Sequence, residues 1–216
     1  MLKDLSAVET SSIDEAKNCQ LYKKGEVIFK EGNSPHGVYC IKYGKVKLYK
    51  TGSEGKDQII RFAQDGDMIG YRSLLSGEKF NASAGCLEET VVCFIPKENI
   101  LQMVAKNHCL AMNLMKAACH ELGEASRIIT DLAQKSIPER LAVVLLVLKT
   151  NFGLDANNAI AQVLSREDIA NMVGTATETL IRTLAKFETD KLVELDGKKI
   201  RLLDIRRISE LAGVQE

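Results

Sequence analysis

The uneven distribution of glycine along the chain constrains its fold most strongly. Of the fifteen glycines in the 216 residues, ten lie between Gly25 and Gly85. The short runs between and after them, several of which alternate apolar and polar side chains, are interpreted as strands at 26–29, 38–42, 45–50, 58–63 and 91–95. Regularly spaced short strands joined by glycine turns are typical of an antiparallel sandwich or barrel. The N-terminal part is therefore predicted to be a β-domain.

The chain changes character after Pro96, which is suited to open a helix because an N-terminal position does not need the missing N–H. A second helix, predicted from Cys109 to Gln134, carries an unbroken 4,3 spacing of apolar residues. These residues, called the seam below, are Ala111, Met115, Ala118, Leu122, Ala125, Ile129 and Leu132. The spacing permits either an amphipathic helix that packs on its own domain or a helix–helix contact. We favour a parallel homodimer, because a second stripe (Leu110, Leu114, Ile128) is left to face the β-domain.

Composition excludes several classes of protein. Hydrophobic residues make up 45% and charged residues 27%, and 29 basic residues balance 29 acidic ones. This mix is that of a folded domain, which excludes a disordered or polybasic chain. The sequence has no apolar run of about 18 residues and no signal-peptide pattern at its start, so we expect a cytoplasmic protein without membrane contact. In that compartment the six cysteines are expected to be reduced thiols, mostly buried.

Two capped helices and a hairpin form the most specific pattern of the C-terminal third. Ser136 and Glu139 form a capping box at the start of one predicted helix, and Ser165 with Asp168 repeats the pattern further along. The second helix ends at Gly174, and another is predicted from about residue 176 to 187. Asp-Gly at 196–197 then joins two alternating runs, which indicates a β-hairpin. Helix, turn, helix and hairpin in this order predict a winged helix-turn-helix that binds DNA.

The outer face of the second motif helix contains the candidate base contacts. A rotation of 100° per residue places Ala176, Leu180, Thr183, Leu184 and Phe187 inside, and Glu178, Ile181, Arg182 and Ala185 outside. Arginine can bond both acceptors of guanine, and glutamate can accept from cytosine. The alternative is a solvated Glu–Arg pair at i,i+4, worth about 0.2–0.5 kcal/mol. Net charge does not distinguish DNA contact from a solvated ion pair, because residues 135–216 hold twelve basic and twelve acidic side chains.

From about Gly25 to Leu203 the chain resembles the family of the cyclic-AMP receptor protein and the fumarate–nitrate reduction regulator, the CRP/FNR family. The resemblance rests on the motifs at 66–70 (GDMIG), 138–142 (PERLA) and 177–182 (TETLIR). It implies an α+β fold with an antiparallel β-roll sensor domain at 1–108, a dimerisation helix at 109–134 and a winged helix-turn-helix domain at 135–216. It also implies a homodimer that reads palindromic double-stranded DNA and, if an activator, contacts RNA polymerase. The expected DNA contacts are Arg166 (to phosphate), Thr175, Thr177, Glu178, Ile181 and Arg182.

The sensor cassette departs from that of the cyclic-AMP-binding members. They carry Gly-Glu-Leu followed later by Arg-Ser, whereas this chain has Gly70-Tyr71-Arg72-Ser73 and then Asn81-Ala82-Ser83. A cyclic nucleotide would lack its charge-assisted phosphate partner, so we expect an effector other than cyclic AMP. The candidate effector residues are Gly70, Tyr71, Arg72, Ser73, Asn81, Ala82 and Arg127.

Cofactors and other classes of function are disfavoured by residue counts. Only Cys19 precedes Cys40, so the N-terminal cysteine cluster of the oxygen-sensing members is absent and no iron–sulfur cluster or other metal is expected. Haem remains an alternative through His36, His108 or His120, as does redox control within the same family. A cupin-type metalloenzyme lacks its clustered histidines, so the protein is not expected to be an enzyme. A nucleotide-binding regulatory subunit that acts through protein contacts is the remaining alternative.

Overall fold

The computed structural model describes residues 15–53 and 55–214. The chain forms two compact units. The first comprises the described residues up to Lys50 together with Ile60–Ala125, and the second comprises those within Thr51–Ile59 together with residues 126–214. Each unit is considered by itself below.

Antiparallel strand pairs build the N-terminal β-roll. The strands are β1 (Asn18–Tyr22), β2 (Val27–Phe29), β3 (Gly37–Tyr43), β4 (Val46–Thr51), β5 (Asp57–Ala63), β6 (Met68–Ile69), β7 (Ser83–Cys86) and β8 (Thr90–Pro96). They form two four-stranded sheets in the orders β1-β8-β3-β6 and β2-β7-β4-β5. The five predicted strands are confirmed as β2, β3, β4, β5 and β8, and the antiparallel β-roll predicted for this part of the chain is confirmed with them.

Aromatic rings fill the interior of the roll. The rings of Phe29 and Phe80 stack with centroids 4.0 Å apart, and Tyr39 lies 5.3 Å from Phe29. Ile41, Val92 and other apolar side chains complete this cluster. Because side chains alternate along a strand, the neighbours of these residues point to the other face of the sheet.

The opposite face of the sheet β1-β8-β3-β6 packs on helices. These are α1 (Tyr71–Ser76), α2 (Lys97–Lys106) and the long α3 (His108–Gln134). Val38 and Ile95 of the sheet meet Leu110 and Leu114 of α3 in one buried cluster, against which Cys40 also packs. The predicted inward stripe of α3 is thus confirmed at Leu110 and Leu114.

The prediction of six reduced, mostly buried thiols is wrong. Cys19 and Cys93 form a disulfide, and they are directly opposed in the register of β1 and β8. The sequence reading missed this pair because β1 was not predicted, so nothing aligned Cys19 with Cys93. Of the free cysteines, Cys109 and Cys119 are exposed, which also departs from the prediction.

The second unit contains the winged helix-turn-helix. Its elements are α4 (Ile137–Phe152), α5 (Arg166–Val173), α6 (Thr177–Thr189), β9 (Val193–Asp196), β10 (Lys199–Leu202) and α7 (Ile205–Ala212). The core includes Leu145, Ile169, Leu180, Leu184 and Ile208, all buried. No helix among the described residues is both long enough and apolar enough to cross a membrane.

Two local predictions in this unit need correction. Ala176 is exposed at the N-cap of α6 rather than buried on its inner face, because the helix begins one residue later. Asp196 is paired with Lys199, so the hairpin loop is Gly197-Lys198 rather than Asp196-Gly197. Gly197 takes the left-handed conformation that the two-residue loop needs (φ +57°).

Candidate nucleic-acid interface

The turn between α5 and α6 is fixed by its caps. The backbone N–H of Asp168 donates to Ser165 Oγ at 2.9 Å, which confirms the predicted N-cap of α5. Gly174 ends α5 with φ +70°, a left-handed conformation that favours glycine. A Cβ at Gly174 would lie 2.8 Å from Leu132 Cδ2 of α3, so any side chain at this position would require the Leu132 side chain to shift.

Helix α6 presents the predicted outer face. Leu180, Leu184 and Phe187 are buried against the domain, which leaves the opposite side of the helix to solvent. That exposed side includes Glu178, Ile181, Arg182 and Ala185. Ile181 is half exposed, so an apolar contact surface lies between the carboxylate and the guanidinium.

Glu178 and Arg182 do not pair with each other in the described structure, which counts against the solvated ion-pair alternative. Instead, Arg182 Nη2 donates a long hydrogen bond of 3.4 Å to Thr179 Oγ1. A carboxylate acceptor and a guanidinium donor therefore stand side by side on an exposed helix. That combination offers one acceptor and one bidentate donor to base edges in a major groove.

Arg166 has a different environment from the one expected for a phosphate contact. Its Nη2 donates to Gly197 O at 2.9 Å and its Nη1 to Lys198 O at 3.2 Å. Partial burial of its guanidinium lowers the pKa of Arg166. The side chain thus ties the start of α5 to the hairpin loop. Thr175 and Thr177 flank the N-cap of α6 and are partly buried.

Arg140 is a residue of this region that the sequence reading did not single out as functional. Its Nε donates to Val173 O at 2.8 Å and its Nη2 to Gly174 O at 3.4 Å, both at the end of α5. Its Nη1 donates to Lys135 O at 2.9 Å and Leu132 O at 3.4 Å, at the end of α3. One guanidinium therefore joins the end of the long helix to the helix-turn-helix turn. The PERLA motif contained this arginine, but nothing in its spacing indicates these carbonyl partners.

The seam residues of α3 lie on an apolar stripe that the described chain leaves largely open. Met115, Leu122 and Ile129 are 58%, 68% and 67% exposed, and Leu132 is 38% exposed. Ala118 is an exception, since it packs in part against the cluster under the β-roll. An open stripe of large apolar side chains at this spacing is typical of a helix that pairs with another helix.

The candidate effector residues of α1 surround a carboxylate rather than an open anion site. Glu121 of α3 accepts from Tyr71 Oη at 2.9 Å and from Arg72 Nη1 at 3.3 Å. Arg61 Nη2 lies 3.0 Å from the same carboxylate. Burial, together with the charge of Glu121, raises the pKa of Tyr71. The guanidinium of Arg72 is thus already engaged by an acidic side chain.

The remaining candidate effector residues differ in burial and are divided between the two units. Gly70 caps α1 with φ +83°, and its missing Cβ leaves room for the ring of Phe80. Ser73 and Ala82 are buried, whereas Asn81 is exposed. Arg127 belongs to the second unit.

Comparisons with known proteins agree with this geometry. Residues 19–107 match the cyclic nucleotide-binding domain, and residues 139–211 match the Crp-like helix-turn-helix domain. The chain is 30% identical over 213 residues to the transcriptional activator protein Anr of Pseudomonas protegens, across 97% of this chain and 86% of the relative. It is 31% identical to the fumarate and nitrate reduction regulatory protein of Vibrio cholerae, across 90% and 78% of the two chains. The solved structure of FixK2 from Bradyrhizobium japonicum superposes with a TM-score of 0.80 at 27% identity, covering 93% of this chain and 99% of FixK2.

The chain belongs to the CRP/FNR family of transcription regulators. The predicted family, fold class and DNA-binding function are therefore confirmed, and the predicted β-roll and winged helix-turn-helix match the two domains found by comparison. The relatives named above are regulators of transcription rather than enzymes.

The interior of the β-roll of this CRP/FNR member is aromatic and apolar. The stacked rings of Phe29 and Phe80 occupy the interior. Among the described residues, the buried polar side chains are Ser73, Ser83, Thr90 and Gln162, and none of them is cationic. A cyclic phosphate placed among these four buried side chains would meet no cation there, and a buried charge without a partner is costly.

The histidines, cysteines and acidic side chains are dispersed among the described residues. Within the part of the chain that the structure describes, no three histidine, cysteine or acidic side chains converge as a metal site. The candidate haem ligands, His36, His108 and His120, are all exposed. None of these histidines lies in a buried apolar site suited to a haem.

Proposed function

We propose that this CRP/FNR regulator acts as a homodimer that reads palindromic double-stranded DNA and responds to an effector other than cyclic AMP. The exposed, mutually unpaired Glu178 and Arg182 on α6 carry the proposal, because they give each protomer one base-reading face. Ile181 between them supplies an apolar contact suited to a thymine methyl group. Thr175 and Thr177, at the N-terminus of the same helix, are assigned to contacts with the DNA backbone.

The homodimer rests on the open seam of α3. Pairing two copies of Met115, Leu122 and Ile129 would remove large apolar side chains from water at about 25 cal/mol per Å² of area buried. A pair of recognition helices set about 34 Å apart then matches two half-sites one turn of DNA apart. Arg140 joins the end of α3 to the turn before α6, so a change in seam geometry reaches the recognition helix directly.

We assign the effector to the β-roll because of the fold of that domain, and we propose that it is not a cyclic nucleotide. The ligand favours one of two arrangements of the long helices. It can shift the equilibrium between these arrangements only by as much free energy as its binding to them differs. The protein is proposed to act in the cytoplasm without catalytic activity, and to contact RNA polymerase where it activates.

A selection from random duplexes with the full-length protein tests this function. The expected product is a palindrome whose half-sites are spaced by one helical turn. Recovery of single half-sites would contradict the homodimer. Failure to enrich any duplex would favour the alternative of a regulatory subunit that acts through protein contacts.

A further inference from the structure

Three cysteines lie in one row across the sheet β1-β8-β3-β6. Cys93 of β8 is directly opposite Cys19 of β1 on one side and Cys40 of β3 on the other. Met68 of β6 continues the row, since it is opposite Cys40. We infer that Cys19, Cys93 and Cys40 form a thiol–disulfide exchange site in which Cys93 bonds to either neighbour and which reacts with a dithiol reductant.

The sheet geometry makes Cys93 the shared partner. Directly opposed residues on one face have Cβ atoms about 4.5–5.5 Å apart, so each neighbour of Cys93 is close enough for a small rearrangement to form a bond. Cys19 and Cys40 are two strands apart, roughly 9.5 Å. Because a disulfide needs Cα atoms within about 7 Å, those two cannot bond to each other. Every disulfide of the row must therefore include Cys93.

The exchange step balances without an external oxidant. The thiolate of Cys40 attacks Sγ of Cys93, and the bond from Cys93 to Cys19 breaks. Cys19 leaves as a thiolate and takes up a proton from water, while the proton lost by Cys40 goes to solvent. Reduction by a dithiol is a separate reaction that begins with attack on the sulfur of the exposed Cys19. The protein disulfide takes up two electrons and becomes two thiols, while the dithiol is oxidised to its own cyclic disulfide.

The structure contains the Cys19–Cys93 bond, and burial of Cys40 slows its exchange. Cys40 packs against the apolar cluster between the sheet and the long helix. Among the described residues of this cluster, Tyr71 is the one titratable side chain besides Cys40. Burial raises the pKa of the Cys40 thiol to about 11, although the ammonium of Lys17 acts in the opposite direction. At pH 7 the thiolate fraction of such a group is on the order of 10⁻⁴, so exchange is slow.

Cys40 of the row lies on the face of the sheet that packs on α3. Exchange moves the covalent bond of Cys93 from β1, an edge strand, to β3, which packs through Cys40 on the cluster containing Ala117 and Ala118 of α3. The reaction is independent of DNA binding, so its test does not depend on the proposed function.

Disulfide mapping on the full-length protein tests the site. The protein is purified without reductant, alkylated under denaturing conditions and digested with trypsin and a glutamate-specific protease. The second protease is needed because Cys86 and Cys93 share one tryptic peptide and are separated at Glu88 and Glu89. We expect a Cys19–Cys93 linked peptide and an alkylated Cys40. Stoichiometric iron or zinc held by these three thiols would overturn the proposal.

Two variants test the shared partner. In Cys19→Ser, mild oxidation with diamide is expected to link Cys40 to Cys93. In Cys93→Ala, the same oxidation is expected to leave Cys19 and Cys40 unlinked. Cys119→Ser, which removes an exposed thiol outside the row, is the matched control and keeps the wild-type pattern. A Cys40 that stays alkylatable in oxidised, folded Cys19→Ser would contradict the exchange site.

The wild-type protein supplies a test without a variant. Raising the pH from about 7.5 to about 9.5 increases the Cys40 thiolate fraction about a hundredfold, since both values lie below its pKa. The rate at which a Cys40–Cys93 link appears, with release of an alkylatable Cys19, should rise by a similar factor. Absence of that link at the higher pH would overturn the proposal.

Discussion

Glu178 and Arg182 both lie on the exposed face of α6. Leu180, Leu184 and Phe187 fix that orientation, because they are buried on the opposite side of the helix. The guanidinium of Arg166 instead donates to the carbonyls of Gly197 and Lys198, about thirty residues away in the hairpin loop.

Substitution of Glu178 or Arg182 tests their proposed contacts with DNA bases. Arg182→Ala and Glu178→Ala should each weaken specific DNA binding by about 1–3 kcal/mol and relax the preference at one base position. Competition with duplexes altered at single positions measures both effects. Lys116→Ala removes an exposed charge from α3 and serves as the matched control. An unchanged base preference in both variants would remove their assigned role.

Gly174 supplies a second prediction, on stability. Alanine at this position must adopt φ +70° and place its Cβ 2.8 Å from Leu132 Cδ2. The left-handed conformation alone costs about 1–2 kcal/mol, so Gly174→Ala should lower the free energy of unfolding by at least that much. Gly123→Ala is the matched control, because it lies within α3 with no atom within 4 Å. That change should stabilise the helix by up to about 1 kcal/mol. Urea unfolding measures the free energy of unfolding of both variants and of the wild-type protein. A Gly174→Ala variant as stable as the wild type would contradict the backbone strain expected at this position.

At the scale of elements, prediction succeeded where a strong period or a cap marked the boundaries. Helix α3 was placed within one residue, and Ser165 and Gly174 delimited α5. The strands β1, β6 and β7 were missed for physical reasons. Strand β6 has two residues, and β7 (Ser-Ala-Gly-Cys) is buried throughout and so lacks an alternating pattern. Helix α7 is short and follows the hairpin directly, which gave no separate signal.

The Arg140 bridge belongs to this scale because it links elements rather than contacting DNA. Arg140→Gln should loosen the position of the helix-turn-helix turn relative to the end of α3. We expect half-site spacing to become less selective while the preferred bases within each half-site stay the same. Arg140→Lys, which keeps the charge but loses the planar fork, should restore little of the spacing preference. Palindromes with one or two base pairs added or removed between half-sites provide the measurement. Loss of base preference together with spacing would indicate general unfolding instead.

At the scale of the whole molecule, the sequence predicts that the long helix packs one stripe on the β-domain and presents a second stripe to another helix. Leu110 and Leu114 are buried as predicted, while Met115, Leu122 and Ile129 stay exposed. The sequence could not show that Ala118 contributes to the inner cluster, because a small residue at the border of two stripes fits either. Nor could it show that Arg72 is engaged by Glu121, since the two residues are 49 positions apart.

Charge placed in the seam should separate the two protomers. Leu122→Glu and Ile129→Glu would each bury two like charges at a helix–helix contact, so we expect monomers at micromolar concentration by sedimentation equilibrium. Lys116→Glu changes an exposed residue outside the seam and should leave the dimer intact. Dimers that persist in both seam variants would place the interface elsewhere.

The most direct test of the account is fluorescence anisotropy of the full-length protein on a palindrome with TGA-type half-sites, with and without cyclic AMP. A salt titration should show a steep fall in affinity from phosphate contacts. We expect tighter binding to the palindrome than to a scrambled duplex of equal length, with no effect of cyclic AMP. Binding that appears only when cyclic AMP is added would contradict the proposed effector class, because the β-roll would then accept a cyclic phosphate.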